Sequence, residues 1–352
     1  MDGQKKRGPL RIIRACAPVR INDIGGWTDT WFAGEGKVLN LAVSPLVEVE
    51  IKVFENPLER EDRVRVHAVN YDTTFRVHPE NPSYDEQPLL EGAVASIPVP
   101  EQVELDITVQ SHVPGGSSTG SSASVCVAVL GALGLLADRK LSKKHIARLA
   151  QSVETDKLGL QCGIQDQICA AHGGISFIHM TDYPEAEVQR VQLGDGLAGE
   201  LDRRLALIYL GSSHSSSALH EKVIALLEEK GGRFKILGEL KDLAEEARTH
   251  LLAGDLKAFG DVMVRNNECQ RSLHPELISR EADQVISIAR KHGAEGWKVN
   301  GAGGAGGTVT LLAGPGGKRK KEMIQEMEQL GEGMTSIPVS LDMNGLVVRD
   351  LG

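Results

Sequence analysis

Residues 112–129 read HVPGGSSTGSSASVCVAV, and this stretch decides the fold. Just upstream, Val103, Leu105, Ile107 and Val109 fall at every second position, the period of a strand with one buried face. Downstream, Ser122 to Ala137 is uncharged and apolar on all sides, as in a helix buried within a core. A strand therefore delivers a loop of small residues to the N-terminus of a buried helix. The first N–H groups of such a helix have no intrahelical partner and carry partial positive charge, so they accept phosphate. Small side chains allow the close approach this needs. The loop has neither the Gly-Lys-Ser/Thr ending of a Walker A motif nor the G-x-G-x-x-G of a dinucleotide fold. By itself it also reads as a flexible loop capping a core helix. Val113 to Ala137 is long enough for a membrane span, but Gly and Ser crowd its first half, which favours the buried helix.

Further along, Ser142 is placed to cap a second helix, with Ile146, Leu149, Ala150 and Val153 at helical spacing and Glu154 beside that stripe. Glu154 opens toward VETDKLGLQCGIQDQICAAHGG, in which Asp166 stands between Gln165 and Gln167 near Gly163 and the Gly173-Gly174 pair. A carboxylate beside an apolar stripe needs a partner, and Mg²⁺ and a surface Lys or Arg both qualify. A buried Asp166 needs one too, for which Arg20 is a candidate.

NGAGGAGGTVTLL, from Asn300 to Leu312, runs from a glycine loop straight into a strand. The abrupt order favours a tight, folded loop over a spacer. RIIRA, VLNLAV and LVEVEIKVF near the start, then VRVHAV and TFRVH, read as strands. Past Pro184 a strand, LALIYL, is followed by amphipathic helices, the glycine-loop hairpin, a helix from Lys318, and the strands SIPVSL and GLVVRDL. The fold class expected is α+β in two domains. Residues 1–195 form a βαβ-type domain with its phosphate loop at a helix N-terminus, and residues 196–352 a ferredoxin-like domain.

A chain of 352 residues fits two packed domains with a cleft between them. Its 41% apolar and 25% charged residues are ordinary for a globular protein, and a net charge of -9 offers no basic face for nucleic acid. Five cysteines without C-x-x-C spacing argue against disulfides and zinc, and with no signal-peptide pattern the expected compartment is the cytoplasm. No membrane partner is expected, and the chain is expected to be a monomer or homodimer. His112, His172, His214 and His274 read as surface or structural residues, and Ser212 to Ser217 as a helix cap or a loop on the substrate side.

Together with APVRINDIGGWTDT, residues 17–30, these motifs resemble in order and spacing the three signatures of the galactokinase, homoserine kinase, mevalonate kinase and phosphomevalonate kinase (GHMP) superfamily. Ala17, Pro18, Arg20, Asn22, Gly25, Thr28 and Asp29 match the first signature of the galactokinase-like members. The resemblance implies an ATP- and Mg²⁺-dependent kinase. Pro114, Gly115, Gly116, Ser117, Ser118, Thr119, Gly120, Ser121 and Ser122 would bind nucleotide. Ser122 and Glu154 would hold Mg²⁺, Asp166 would act on the substrate hydroxyl with Arg20 beside it, and Gly26, Trp27, Thr28 and Asp29 would contact the sugar. Gly301, Gly303, Gly304, Gly306 and Gly307 align with the third signature, which supports the active-site loops. Galactokinases have glutamate and histidine where this chain has Gly26 and Trp27, so GGWTDT is more similar to fucokinases, and the QDQ run to fucokinases and heptose-phosphate kinases. The implied reaction converts a fucose-like or heptose-7-phosphate-like sugar into its 1-phosphate. The alternatives are a kinase for a non-sugar alcohol such as mevalonate, and a non-catalytic sugar sensor. Trp27 and Trp31 are candidates for stacking on the sugar, with plain packing as the other reading.

Overall fold

The structure is a computed structural model that describes residues 8–56, 60–212, 219, 221–225 and 233–352. Most of the Ser212–Ser217 stretch, and His214 with it, lies outside the described residues. The first sheet is built on two long strands, β1 (Arg11–Ile24) and β2 (Gly36–Glu55), paired antiparallel. β3 (Val64–Ala68), β4 (Thr73–Val77) and β5 (Val103–Ser111) extend it in the order β1-β2-β5-β3-β4. β2 is long enough to serve two partners. Its second half pairs with β5, and its first half with β6 (Ile175–Asp182), which in turn pairs with β7 (Glu185–Val191). The strand–loop–helix unit expected at residues 103–137 is present, and the parallel pairing in this sheet is between β3 and β5, the other pairs being antiparallel.

α2 (Ser121–Leu136) follows α1 (Pro88–Val94) and packs on β1 and β2, its residues from Ala123 to Leu133 almost all buried. Residues that are apolar on every side need cover on every side, and α1, α3 (Lys143–Ser152) and α4 (Gln165–His172) supply it. Ser142 caps α3 as its position predicts, its hydroxyl accepting the His145 N–H. No helix among the described residues is long and apolar enough to cross a membrane.

After α5 (Asp195–Arg204), β8 (Leu205–Leu210) opens the second sheet. α6 (Arg233–Ala253), α7 (Leu256–Leu273) and α8 (Arg280–Lys291) lead to β9 (Gly296–Val299), the hairpin partner β10 (Thr308–Leu312), α9 (Gly317–Glu328) and β11 (Met334–Ile337). The spatial order β11-β8-β10-β9, all antiparallel, is the ferredoxin-like arrangement. The chain then leaves this domain, against a simple division at residue 195. β12 (Ser340–Leu341) pairs with β2, and β13 (Val347–Asp350) pairs with β1, where Leu346 and Val348 cover α2 at Gly131.

One apolar core joins the two halves. Val19, Ile21 and Ile24 of β1 meet Leu205 and Leu207 of β8, Leu243 and Ala247 of α6, and Phe259 and Met263 of α7. This explains why β1 loses its alternation and is buried on both faces from Ala17 onward. Each of these side chains larger than alanine contributes about 1.5–3 kcal/mol of burial. The rigid seam sets the end of β1 beside the loop between β9 and β10.

Candidate active site

A cavity of about 450 Å³ opens where the ends of β1, α2 and α4 meet the β9–β10 loop. Arg20 comes to it from β1 and Asp166 from the first turn of α4. Arg20 donates through Nε to Asp166 Oδ1 at 2.8 Å and through Nη2 to Oδ2 at 3.2 Å, and its Nη1 donates to the Ser118 carbonyl. The guanidinium is buried, its side chain 6% exposed, while Asp166 is 28% exposed and faces the cavity. Burial works against the Arg20 charge, but Asp166 and Asp23 outweigh it and hold the group protonated.

The phosphate loop is locked around this pair. Gly120, the N-cap of α2, has φ +69, and a Cβ there would sit 3.0 Å from the Asp166 carboxyl. Ser118, also at positive φ, turns its carbonyl to Arg20. Gly116, Ser118, Thr119, Gly120, Ser121 and Ser122 line the cavity. Pro114, Gly115 and Ser117 lie outside this lining. The Ser117 hydroxyl is buried against that of Thr119, 2.7 Å away, and its carbonyl accepts the Thr308 hydroxyl at 2.8 Å. Through Thr308 the β9–β10 loop supports the phosphate loop from beneath. Asn300 completes the link, donating to Thr308 Oγ1 and accepting the Asn22 N–H, both at 2.9 Å.

Glu154 stands in a π-helical turn, Val153–Lys157, that ends α3, a distortion that re-aims side chains and is frequent at functional sites. Its Oε1 accepts from Gln167 Nε2 at 2.6 Å. Burial pushes its carboxyl up to about 7; the Gln167 bond opposes this, and the Asp166 charge adds to it. No salt bridge to Glu154 exists among the described residues, so the Lys or Arg partner that would make it a surface carboxylate is missing. Ser122, exposed in the same cavity, presents a second hard oxygen. No cluster of three or more His, Cys, Asp or Glu side chains is arranged for a metal among the described residues. The two oxygens fit a Mg²⁺ completed by nucleotide phosphates and water rather than a cage of protein ligands.

On the substrate side the first signature behaves differently from expectation. Thr28 is fully buried and outside the cavity lining. Its hydroxyl donates to the Gly25 and Lys37 carbonyls and accepts the Lys37 N–H, so it pins the turn and corrects its assignment to the sugar. Asp29 lines the cavity, yet its Oδ2 accepts the N–H groups of Ile164 and Gln165, each at 3.0 Å, and so caps the helix that carries Asp166. Burial pushes the Asp29 carboxyl up to about 6; the Gln165 N–H bond opposes this, and the Asp166 charge adds to it. Trp27 borders the cavity while packing against Leu219, Val223, Leu237 and Leu240. Trp31 lies outside the cavity lining, edge-on to Phe32 and Tyr183. Gly26 lies outside the cavity lining, packed so closely on Asp23 that a Cβ would stand 2.7 Å from its Oδ2 and 3.1 Å from its carbonyl.

Reasoning from the sequence missed Asp23 and Lys298. Both are almost wholly buried and are joined at 3.0 Å across the seam between the sheets. A lone lysine inside the otherwise apolar strand GWKV is the signal that a buried carboxylate had to be near.

Residues 90–174 match the family model for the GHMP kinases N terminal domain, and residues 241–333 the model for GHMP kinases C terminal, together just over half of the chain. The chain belongs to the GHMP kinases. This GHMP kinase is 26% identical over 334 residues, 90% of its length, to the bifunctional fucokinase/GDP-fucose pyrophosphorylase of Arabidopsis thaliana, but spans only 31% of that protein. It is 23% identical over 331 residues to a D-glycero-alpha-D-manno-heptose 7-phosphate kinase of Campylobacter jejuni, covering 91% of this chain and 94% of the relative. The Lactococcus lactis galactokinase structure complexed with galactose superposes with a TM-score of 0.77 at 18% identity, over 96% of this chain and 95% of that one. That likeness shows a shared fold.

Proposed function

We propose that this GHMP kinase transfers the γ-phosphoryl group of ATP, with Mg²⁺, to the anomeric hydroxyl of a fucose-like or heptose-7-phosphate-like sugar. The observation that carries the proposal is the Arg20–Asp166 pair set directly against the N-terminal loop of α2. Phosphoryl transfer asks little covalent chemistry of a protein. It asks for an aligned nucleophile and for compensation of phosphate charge.

The free N–H groups at the start of α2 and the loop Gly116–Ser122 bind the phosphates. Asp166 accepts a hydrogen bond from the attacking sugar hydroxyl and then takes its proton. Arg20 orients that carboxylate and adds fixed positive charge where charge gathers in the transition state. Asp29 holds the α4 N-terminus, and with it the Asp166 backbone. Glu154 and Ser122 would hold Mg²⁺, which would supply neutralisation of the nucleotide's phosphate charge. The two sugar-kinase relatives support a sugar as acceptor.

Measuring ADP release over neutral and phosphorylated sugars, followed by ³¹P NMR of the product, tests this reading. An anomeric phosphate supports it. Turnover of mevalonate-like alcohols alone, or binding of sugar and ATP with no ADP release, would replace it with one of the two alternatives.

A further inference from the structure

Asp23 takes no part in the steps above, yet it is 2% exposed and lines the cavity. Its Oδ1 is fully used, accepting from Lys298 Nζ at 3.0 Å and from the Gly301 N–H at 3.2 Å. Lys298 is saturated as well, donating also to Gln270 Oε1 at 3.2 Å and to the Val299 carbonyl at 2.9 Å. The other oxygen of Asp23, Oδ2, receives no donor among the described residues. A buried ion pair gives little stability over an apolar pair of similar size, so a strut between the sheets does not by itself require one.

Gly26 explains where that free oxygen is directed. Its backbone has no positive φ, so the turn does not demand glycine. A Cβ there would instead stand 2.7 Å from Asp23 Oδ2 and 3.4 Å from Gln165 Nε2, covering the oxygen. Asp29, nearby, has one carboxylate oxygen committed to α4, leaving Oδ1 with only a 3.4 Å contact from Gln165. The substrate side of the cavity thus holds one carboxylate oxygen without a donor among the described residues, Asp23 Oδ2, and one held by a single long hydrogen bond, Asp29 Oδ1. A substrate hydroxyl supplies the donor that Asp23 Oδ2 lacks.

We propose that Asp23 is a second sugar-positioning residue: its Oδ2 accepts a hydrogen bond from a substrate hydroxyl, and the absence of a side chain at Gly26 keeps that oxygen open. This rests on the sugar-kinase reading. It goes beyond it in naming the residue pair that selects a hydroxyl at this point of the sugar.

The test is isothermal titration of neutral hexoses, and of their deoxy derivatives, into wild type, Asp23→Asn and Gly26→Ala with a non-hydrolysable ATP analogue present. The sugar Kd is expected to rise at least tenfold in both variants while the analogue's Kd stays within twofold. The derivative lacking the contacted hydroxyl is expected to bind wild type and Asp23→Asn equally weakly. If Asp23→Asn fails to fold, Gly26→Ala carries the test: it keeps both Asp23 and Lys298, and its methyl group, 2.7 Å from Oδ2, covers or displaces that oxygen. Unchanged sugar affinity in a folded variant, or equal weakening toward every deoxy derivative, overturns the proposal and leaves Asp23 a strut. Wild-type protein that binds no sugar overturns both readings. Sugar binding that depends on Asp23 but never yields ADP upholds this proposal and removes the kinase.

Discussion

Arg20 and Asp166, 146 positions apart in the chain, meet through two parallel hydrogen bonds of 2.8 and 3.2 Å. The planar guanidinium matches both carboxylate oxygens at once, which a lysine ammonium cannot do. Arg20→Lys is therefore expected to behave as a loss and not as a conservative change. Its kcat should fall about 100-fold, the size found when one preorganised donor is removed, with ATP affinity within a few-fold. Steady-state rates combined with nucleotide titration check this.

Gly120→Ala places a methyl group against the Asp166 carboxyl at a backbone φ of +69. The strained conformation is expected to cost about 1 kcal/mol of stability. Displacement of Asp166 should lower kcat more than that loss of folded protein explains. Denaturant titration and initial rates on the same preparation separate the two effects.

Thr308→Val removes the hydroxyl that donates to the Ser117 carbonyl and accepts from Asn300. Two buried polar groups lose their partner, at about 1–3 kcal/mol each. Because the lost link lies under the phosphate loop, KM for ATP should rise while KM for the sugar changes little. Thr308→Ser, which keeps the hydroxyl, should restore both.

Glu154 and Asp29 have carboxyl groups raised by burial to about 7 and about 6. The folded chain therefore holds protons that the unfolded chain has released above its ordinary carboxyl range, so stability without ligand falls as pH rises from about 4.5 to 7 and then levels. Glu154→Gln should flatten the upper part of that slope. In the wild type, Mg²⁺ with nucleotide should flatten it too, because a cation favours the ionised form. Thermal unfolding across this pH range, with and without Mg²⁺-nucleotide, checks both expectations.

Much of this was legible in the sequence because it is local. The alternation of Val103 to Val109, the small-residue loop and the apolar run after Ser122 specify β5, the loop and α2. Ser142 marks the start of α3, and TVTLL directly after the glycines requires a folded loop. What stayed hidden depends on distant partners. Asp23 and Lys298 are 275 positions apart, and a polar residue in a strand does not reveal its partner. Thr28 and Asp29 are adjacent and both polar, yet one turns inward to hold its own turn and the other caps a helix 135 positions away. The π turn at Glu154 packs on α1, a tertiary contact without a signature in the VETDK residues. The return of β13 to β1 brings Leu346 and Val348 onto α2 at Gly131, a contact between distant parts of the chain.

The most direct test of the central claim, that Asp166 activates a substrate hydroxyl in this cleft, is a paired measurement of kcat and ATP Kd for wild type and Asp166→Asn with the preferred sugar. The account predicts that kcat collapses by at least about 1,000-fold while ATP Kd stays within a few-fold, as expected for a group that acts in the transition state. Near-normal turnover by Asp166→Asn would contradict it.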